Sequence, residues 1–97
     1  MKSIYVFRKR AFLNPASTNH ASYIVALVES THEGEYKWGD NLLYIADCRR
    51  RIELEFFIGN KRARRLSLAK IDLLINVLTR FRDALTKEIA LIEKAER

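Results

Sequence analysis

The feature that most constrains this chain is the segment 67–95, which contains neither Gly nor Pro. Its apolar residues recur about every 3.6 positions, which is the period of one side of an α-helix. Ser67 belongs to the residue types that cap helix N-termini, so the pattern predicts a helix over 67–95. At ~1.5 Å per residue, this helix would be roughly 40 Å long.

The apolar surface of the predicted helix is wide. On a helical wheel it covers more than half of the circumference, whereas a helix that covers one face of a sheet needs about 100°. Two arrangements would cover the apolar surface that the sheet leaves exposed: the loops over 10–20 and 30–41 fold over it, or a second copy of the chain packs against it. We favour a homo-oligomer, most simply a two-fold dimer. Arg82 and Glu88 interrupt the apolar positions, so a strict coiled coil is not expected. The expected interface residues are Leu73, Val77, Phe81, Ala84 and Leu91.

The segments before the helix follow the period of β-strands instead. β-Branched and aromatic residues predict strands at 3–9, 21–29, 42–48 and 51–58, with loops at 13–20 and 30–41. The near-continuous apolar run over 21–29 is typical of a strand in the middle of a sheet. The segment 51–58 alternates, with Ile52 and Leu54 on one face and Glu53 and Glu55 on the other.

Gly59-Asn60 is a typical two-residue hairpin loop, since both residue types tolerate positive φ. It predicts a fifth short strand over 61–66 that pairs back and sets Glu55 opposite Arg64. The expected fold is therefore α+β: an antiparallel sheet of four to five strands followed by one long C-terminal amphipathic helix. We expect a single domain over 1–97, with the sheet in 1–66.

The charge of the 97-residue chain, formally +6, is segregated. Residues 1–10 carry +4, residues 11–47 carry −4, residues 48–66 carry +5 and residues 67–97 carry +1. A positive charge concentrated in two blocks favours a polyanionic partner more than a diffuse one does.

Three basic blocks hold ten of the eighteen Lys and Arg residues, eight of them Arg: Arg8, Lys9, Arg10, Arg49, Arg50, Arg51, Lys61, Arg62, Arg64 and Arg65. The sequence places Tyr44 and Phe57 on one predicted sheet face with them, and Tyr5 and Phe7 are further candidates from the first strand. Single-stranded nucleic acid is bound by such surfaces, because cations track the phosphates and rings stack on the bases.

A second interpretation of the same residues involves no ligand. Arg64 would pair with Glu55 across the hairpin, and basic edge strands discourage aggregation. Glu53 and Glu55 on the same face would also repel phosphate.

The sequence contains no catalytic or metal-binding signature. His20, His32, Asp47 and Cys48 show no ligand spacing and no nucleophile–base arrangement, so we expect neither an enzyme nor a cofactor. Cys48, the single cysteine, is either a reactive thiol or a half-buried strand residue, and we favour the latter. The remaining loop candidates are Trp38, as a contact for a partner or a lid on the core, and the carboxylates Glu33, Glu35 and Asp40, as a solvated loop.

No apolar run approaches the ~18 residues of a membrane span, and the N-terminus lacks the pattern of a signal peptide. With a single cysteine, the chain is not a disulfide-stapled secreted domain, so we expect a cytoplasmic protein.

The order of several antiparallel strands and one long C-terminal helix in a small basic chain resembles the single-stranded-DNA-binding regulators of the Whirly, Pur and positive-coactivator types. The resemblance lies in element order alone, and no motif of those families is matched. It implies a sheet that binds single strands and helices that assemble dimers. The leading hypothesis is thus a non-enzymatic, sequence-tolerant nucleic-acid binder. The alternative is a small interaction module (adaptor, regulator or inhibitor) that uses the helix face or the Trp38 loop.

Overall fold

The computed structural model is an α+β fold with a four-stranded antiparallel sheet and one long C-terminal helix, which confirms the predicted class. It describes residues 5–14, 22–29, 41–47 and 49–97. The elements are β1 (Tyr5–Phe12), β2 (Tyr23–Glu29), β3 (Asn41–Asp47), β4 (Arg50–Glu55) and α1 (Lys61–Ala95). Most of the predicted loops at 13–20 and 30–41, namely residues 15–20 and 30–40, lie outside the described residues, and Asn41 begins β3.

The strands form a simple meander in the order β1-β2-β3-β4. The apolar strand β2 lies between two neighbours, as its composition predicts, and both of its edges are hydrogen-bonded, one to β1 and the other to β3. β1 runs three residues beyond its predicted end, since Arg10, Ala11 and Phe12 continue the pairing with β2. The register shifts between Tyr5 and Phe7, which leaves one extra residue in β1 at that point.

Hydrogen bonds secure both ends of β3. At its start, Asn41 is buried; its Nδ2 donates to the carbonyl of Phe56 at 3.1 Å, and its own carbonyl accepts from the Phe56 N–H at 2.9 Å. At its end, the buried hydroxyl of Ser22 donates to Oδ1 of Asp47 at 2.6 Å. Asp47, which shows no ligand spacing in the sequence, therefore holds the start of β2 and the end of β3 together.

The predicted fifth strand at 61–66 is wrong, because this segment is the first part of α1. Asn60 does not turn a hairpin; it caps the helix. Its Oδ1 accepts from the Ala63 N–H at 2.8 Å, and its carbonyl accepts the first helical bond from Arg64 at 3.0 Å. The segment 61–66 has no β-branched residue and consists of good helix formers, so its own propensity agrees with the helix. Ser67, the predicted cap, lies within the helix.

Gly59 lies in close contact with an aromatic ring and does not turn a hairpin. A Cβ at this position would lie 2.3 Å from the ring of Phe57, which folds over the glycine. The predicted cross-strand register of Glu55 with Arg64 is wrong, because Arg64 lies in α1. Glu55 pairs with Leu42 in the sheet, and Nε of Arg64 donates to the carbonyl of Ile58 at 3.1 Å.

The chain divides into two compact units, Met1–Arg64 and Arg65–Arg97, and the prediction of a single domain stays a prediction. Among the described residues, Ala46 is the one buried apolar side chain, and no residue of α1 is buried. No helix in this part of the chain is long and apolar enough to cross a membrane.

Candidate nucleic-acid interface

Strand register separates the side chains of the sheet into two different faces. Side chains alternate along each strand, and residues paired directly across antiparallel strands share a face. One face, here the aromatic face, consists of Arg8, Arg10, Phe12, Tyr23, Val25, Leu27, Leu42, Tyr44, Ala46, Arg51, Glu53 and Glu55. The other, the aliphatic face, consists of Phe7, Lys9, Ala11, Ile24, Ala26, Val28, Leu43, Ile45, Arg50, Ile52 and Leu54.

Arginines stack on the rings of the aromatic face at two places. The guanidinium carbon of Arg10 lies 5.2 Å from the ring centroids of both Phe12 and Tyr23. These two rings are neighbours because Phe12 and Tyr23 are register partners. On the same face but toward the β4 edge of the sheet, the guanidinium carbon of Arg51 lies 4.2 Å from the ring centroid of Tyr44. Each distance is within the ~6 Å of a cation–π contact.

The hydroxyl of Tyr44 lies in a mixed electrostatic environment. Partial burial, a hydrogen bond to Glu53 and the negative charge of Glu53 raise the pKa of Tyr44 above its usual value near 10, and Arg51 opposes the rise. The phenol is consequently neutral at physiological pH. The Tyr44 ring lies under the Arg51 guanidinium, and its hydroxyl adds a polar group at the edge of the ring.

The charges on the aromatic face are not evenly distributed. The first cross-strand row runs from Arg8 on β1 to Glu55 on β4, and the second from Arg10 to Glu53. Three strand spacings, about 14 Å, separate the two ends of a row. The acidic side chains of β4 therefore do not neutralise β1 directly. The third row, from Phe12 to Arg51, carries no acidic residue.

The structure brings together only some of the ten basic residues named from the sequence. Arg8, Arg10 and Arg51 share the aromatic face with Tyr44. Lys9 and Arg50 belong to the aliphatic face, and Arg49 lies in the turn before β4. The other four belong to the start of α1 and to no strand: Lys61, Arg62, Arg64 and Arg65.

Of the aromatic candidates, only Tyr44 is placed as expected among basic side chains. Phe57 lies after β4 and covers Gly59, so its assignment to the sheet face is wrong. Phe7 belongs to the aliphatic face, and Tyr5 pairs with Glu29 beyond the register shift.

Phe12 and Tyr23 are the residues that sequence reasoning missed. Arg10 and Phe12 are two positions apart, which puts them on one face of any strand that contains both. The strand pattern predicts an end at residue 9, so Arg10 and Phe12 fall outside the predicted strand and the sequence does not place them on a common face. Tyr23 joins them only through the register of β1 with β2.

Most residues considered for metal binding, catalysis or partner contacts are not described by the structure. His20, His32, Glu33, Glu35, Trp38, Asp40 and Cys48 lie outside the described residues. Within residues 5–14, 22–29, 41–47 and 49–97, no group of three or more His, Cys, Asp or Glu side chains is arranged to hold a metal ion.

Comparison of the chain with protein-family models, with curated proteins and with solved structures yields no match.

Proposed function

We propose that this protein binds single-stranded nucleic acid on the aromatic face of its sheet, without catalysis. The observation that carries the proposal is the stacking of Arg10 on Phe12 and Tyr23 and of Arg51 on Tyr44. A surface that combines rings for base stacking with cations for phosphates matches the requirements of sequence-tolerant single-strand binding.

A stacked guanidinium keeps its capacity to bind phosphate. Its N–H donors lie in the plane of the group, so it can stack on a ring and still donate to phosphate oxygens at its edge. Bases stack equally well on rings and on guanidinium planes. Arg8 extends the basic side of β1 by two residues, or about 6.6 Å.

The charge distribution favours a path for the strand along β1. Arg8 and Arg10 line this side of the face, whereas Glu53 and Glu55 on β4 repel phosphates from the opposite side. The third row, with Phe12, Tyr23 and Arg51, offers a continuation across the sheet because it carries no acidic residue.

The basic start of α1 adds a longer-range attraction. Its first turn contains no acidic residue, and the positive end of the helix dipole lies there as well. Four cations at this end raise the local positive potential and thereby accelerate the encounter with a polyanion.

The competing function is a protein-interaction module, and the exposed apolar residues of α1 favour it. Trp38, the other contact expected for that role, lies outside the described residues. Purification at low salt separates the two functions, since a nucleic-acid binder retains nucleic acid and an interaction module retains a protein companion.

The direct test is fluorescence anisotropy with labelled oligo-dT and oligo-U at several salt concentrations. If Arg8, Arg10 and Arg51 each neutralise one phosphate, the affinity falls roughly twentyfold between 50 and 200 mM salt. No salt-sensitive binding at micromolar protein would overturn the proposal.

Two double variants with equal net charge then locate the site. Arg10→Gln with Arg51→Gln removes both stacked cations, whereas Lys9→Gln with Arg50→Gln removes two cations from the aliphatic face. We expect the first pair to lose about two thirds of the salt dependence and the second to retain it. An equal loss in both would show that net charge, and not the aromatic face, drives binding.

A further inference from the structure

The helix α1 carries one lysine and one glutamate in the middle of its apolar surface. Its apolar arc consists of Leu66, Leu73, Leu74, Val77, Leu78, Phe81, Ala84, Leu85, Ile89, Leu91 and Ile92. Lys70 and Glu88 are 18 residues apart, which is about five turns at ~3.6 residues per turn. They therefore occupy the same angular position on the helix, within the arc.

Within one chain these two charges cannot meet. At ~1.5 Å per residue, the backbone positions of Lys70 and Glu88 are about 27 Å apart along the helix axis. Charged residues inside an apolar helix seam commonly specify orientation and register, because a wrong alignment leaves them opposite apolar or like-charged groups.

We propose that two copies of this chain pair through α1 as an antiparallel homodimer in which Lys70 of each copy faces Glu88 of the partner subunit. A two-fold axis at the level of Thr79 makes both contacts at once, since Thr79 lies midway between the two residues. The dimer is independent of nucleic-acid binding.

This one register also aligns the rest of the arc. Val77 then faces Phe81 of the partner subunit, and Leu74 faces Ala84 of the partner subunit, a large side chain against a small one. Three further facing pairs are apolar on both sides, Leu73 with Leu85, Leu66 with Ile92, and Ala63 with Ala95, whereas Leu91 faces the hydroxyl-bearing Ser67 of the partner subunit. All five interface residues expected from the sequence lie in or beside this seam.

Charge complementarity selects the antiparallel orientation. Residues 61–78 carry a formal charge of +4 and residues 79–97 carry +1. A parallel pair would set the two +4 halves side by side and would place Lys70 opposite Lys70 and Glu88 opposite Glu88. The antiparallel pair keeps the two basic helix starts about 50 Å apart.

The exposed surface is sufficient for a dimer of moderate affinity. In the single chain, Leu73 is 64% exposed, Val77 53% and Phe81 59%. A strip about 50 Å long and as wide as a helix, about 10–12 Å, corresponds to roughly 500–600 Å² per copy. The total of about 1,000–1,200 Å² is at the lower end for specific protein interfaces.

Charge reversal tests the register. We would measure the dimer dissociation constant by sedimentation velocity for the wild type, Lys70→Glu, Glu88→Lys and the variant with both changes. Each single variant puts two like-charged pairs into the seam, so we expect its Kd to rise about tenfold or more. The double variant restores both opposite-charge pairs and should return to the wild-type Kd.

Lys87→Glu and Glu93→Lys are the matched controls, because they make the same charge changes outside the apolar arc and should leave the Kd within about twofold. Circular dichroism confirms that all variants keep their helix. A monomeric wild type at all concentrations overturns the proposal. Equal dimerisation of the wild type and the three charge variants at positions 70 and 88 overturns the antiparallel register, since a parallel pair has like charges opposite each other in all four proteins.

Discussion

The aromatic face of the sheet and the apolar arc of α1 both combine charged groups with large apolar side chains, but they partner the charges differently. On the sheet, Arg10 and Arg51 lie over rings of their own chain. On the helix, Lys70 and Glu88 occupy one line about 27 Å apart, beyond each other's reach. We propose that the stacked cations of the sheet bind a ligand, and that the two charges within the apolar arc set the register between two copies of the helix.

The largest effect is expected from the helix. Phe81→Ala removes the ring nearest to the two-fold axis, and a dimer contains that ring twice. Truncation of a central interface aromatic costs about 2 kcal/mol or more. The two truncations together cost about 4 kcal/mol or more, so we expect the dimer Kd, measured by light scattering over a concentration series, to rise roughly several hundredfold.

Thr79→Ala is the control for this substitution. Thr79 lies on the side of α1 opposite to the apolar arc, and its hydroxyl donates to the carbonyl of Ile75 at 2.7 Å. An unchanged Kd in Phe81→Ala, or an equal rise in Thr79→Ala, would contradict the assignment of the apolar arc to the dimer.

A smaller effect is expected from the stack on the sheet. Arg51→Lys keeps the positive charge but loses the planar group that stacks on Tyr44. An exposed cation–π contact contributes about 0.5–1 kcal/mol, so thermal or urea unfolding should show a loss of that size at most. Affinity for oligo-dT should fall about two- to fivefold. The same substitution at Arg50, on the aliphatic face, should change neither, and equal effects would remove the distinction between the faces.

The smallest effect concerns the ionisation of Tyr44. Glu53→Gln removes the negative charge and weakens the hydrogen bond that raise the pKa of Tyr44, so this pKa should move down toward its usual value. Ultraviolet titration of tyrosinate, with Tyr44→Phe to identify the component, measures the change. A rise or no shift would show that Glu53 does not act on the phenol.

The sign of the associated pH dependence follows from the raised pKa of Tyr44 in the folded chain. Above pH ~10 the unfolded chain loses the phenolic proton first, so the folded state binds more protons. The free energy of unfolding should consequently decrease as the pH rises through the folded pKa, and less steeply in Glu53→Gln than in the wild type.

Sequence periodicity predicted the four strands and the helical character of 67–95 correctly, although β4 ends at Glu55 and not at the predicted residue 58. It failed at the junction, where Gly59-Asn60 suits both a hairpin and a helix start. The hydrogen bond from Ala63 to the Asn60 side chain settled this in favour of a helix. The four basic residues that follow were thereby moved from a strand to α1, which removed them from the predicted sheet face.

The sequence by itself determined the α+β class, the central position of β2 and the wide apolar surface of the helix. Each of these depends on periodicity or on composition, which are local properties of the chain. Only the tertiary structure decided that Tyr23 lies beside Arg10 and Phe12 and that Arg51 lies over Tyr44. The reason is that a one-residue change in strand register moves every side chain to the other face, and the register depends on pairing between distant segments.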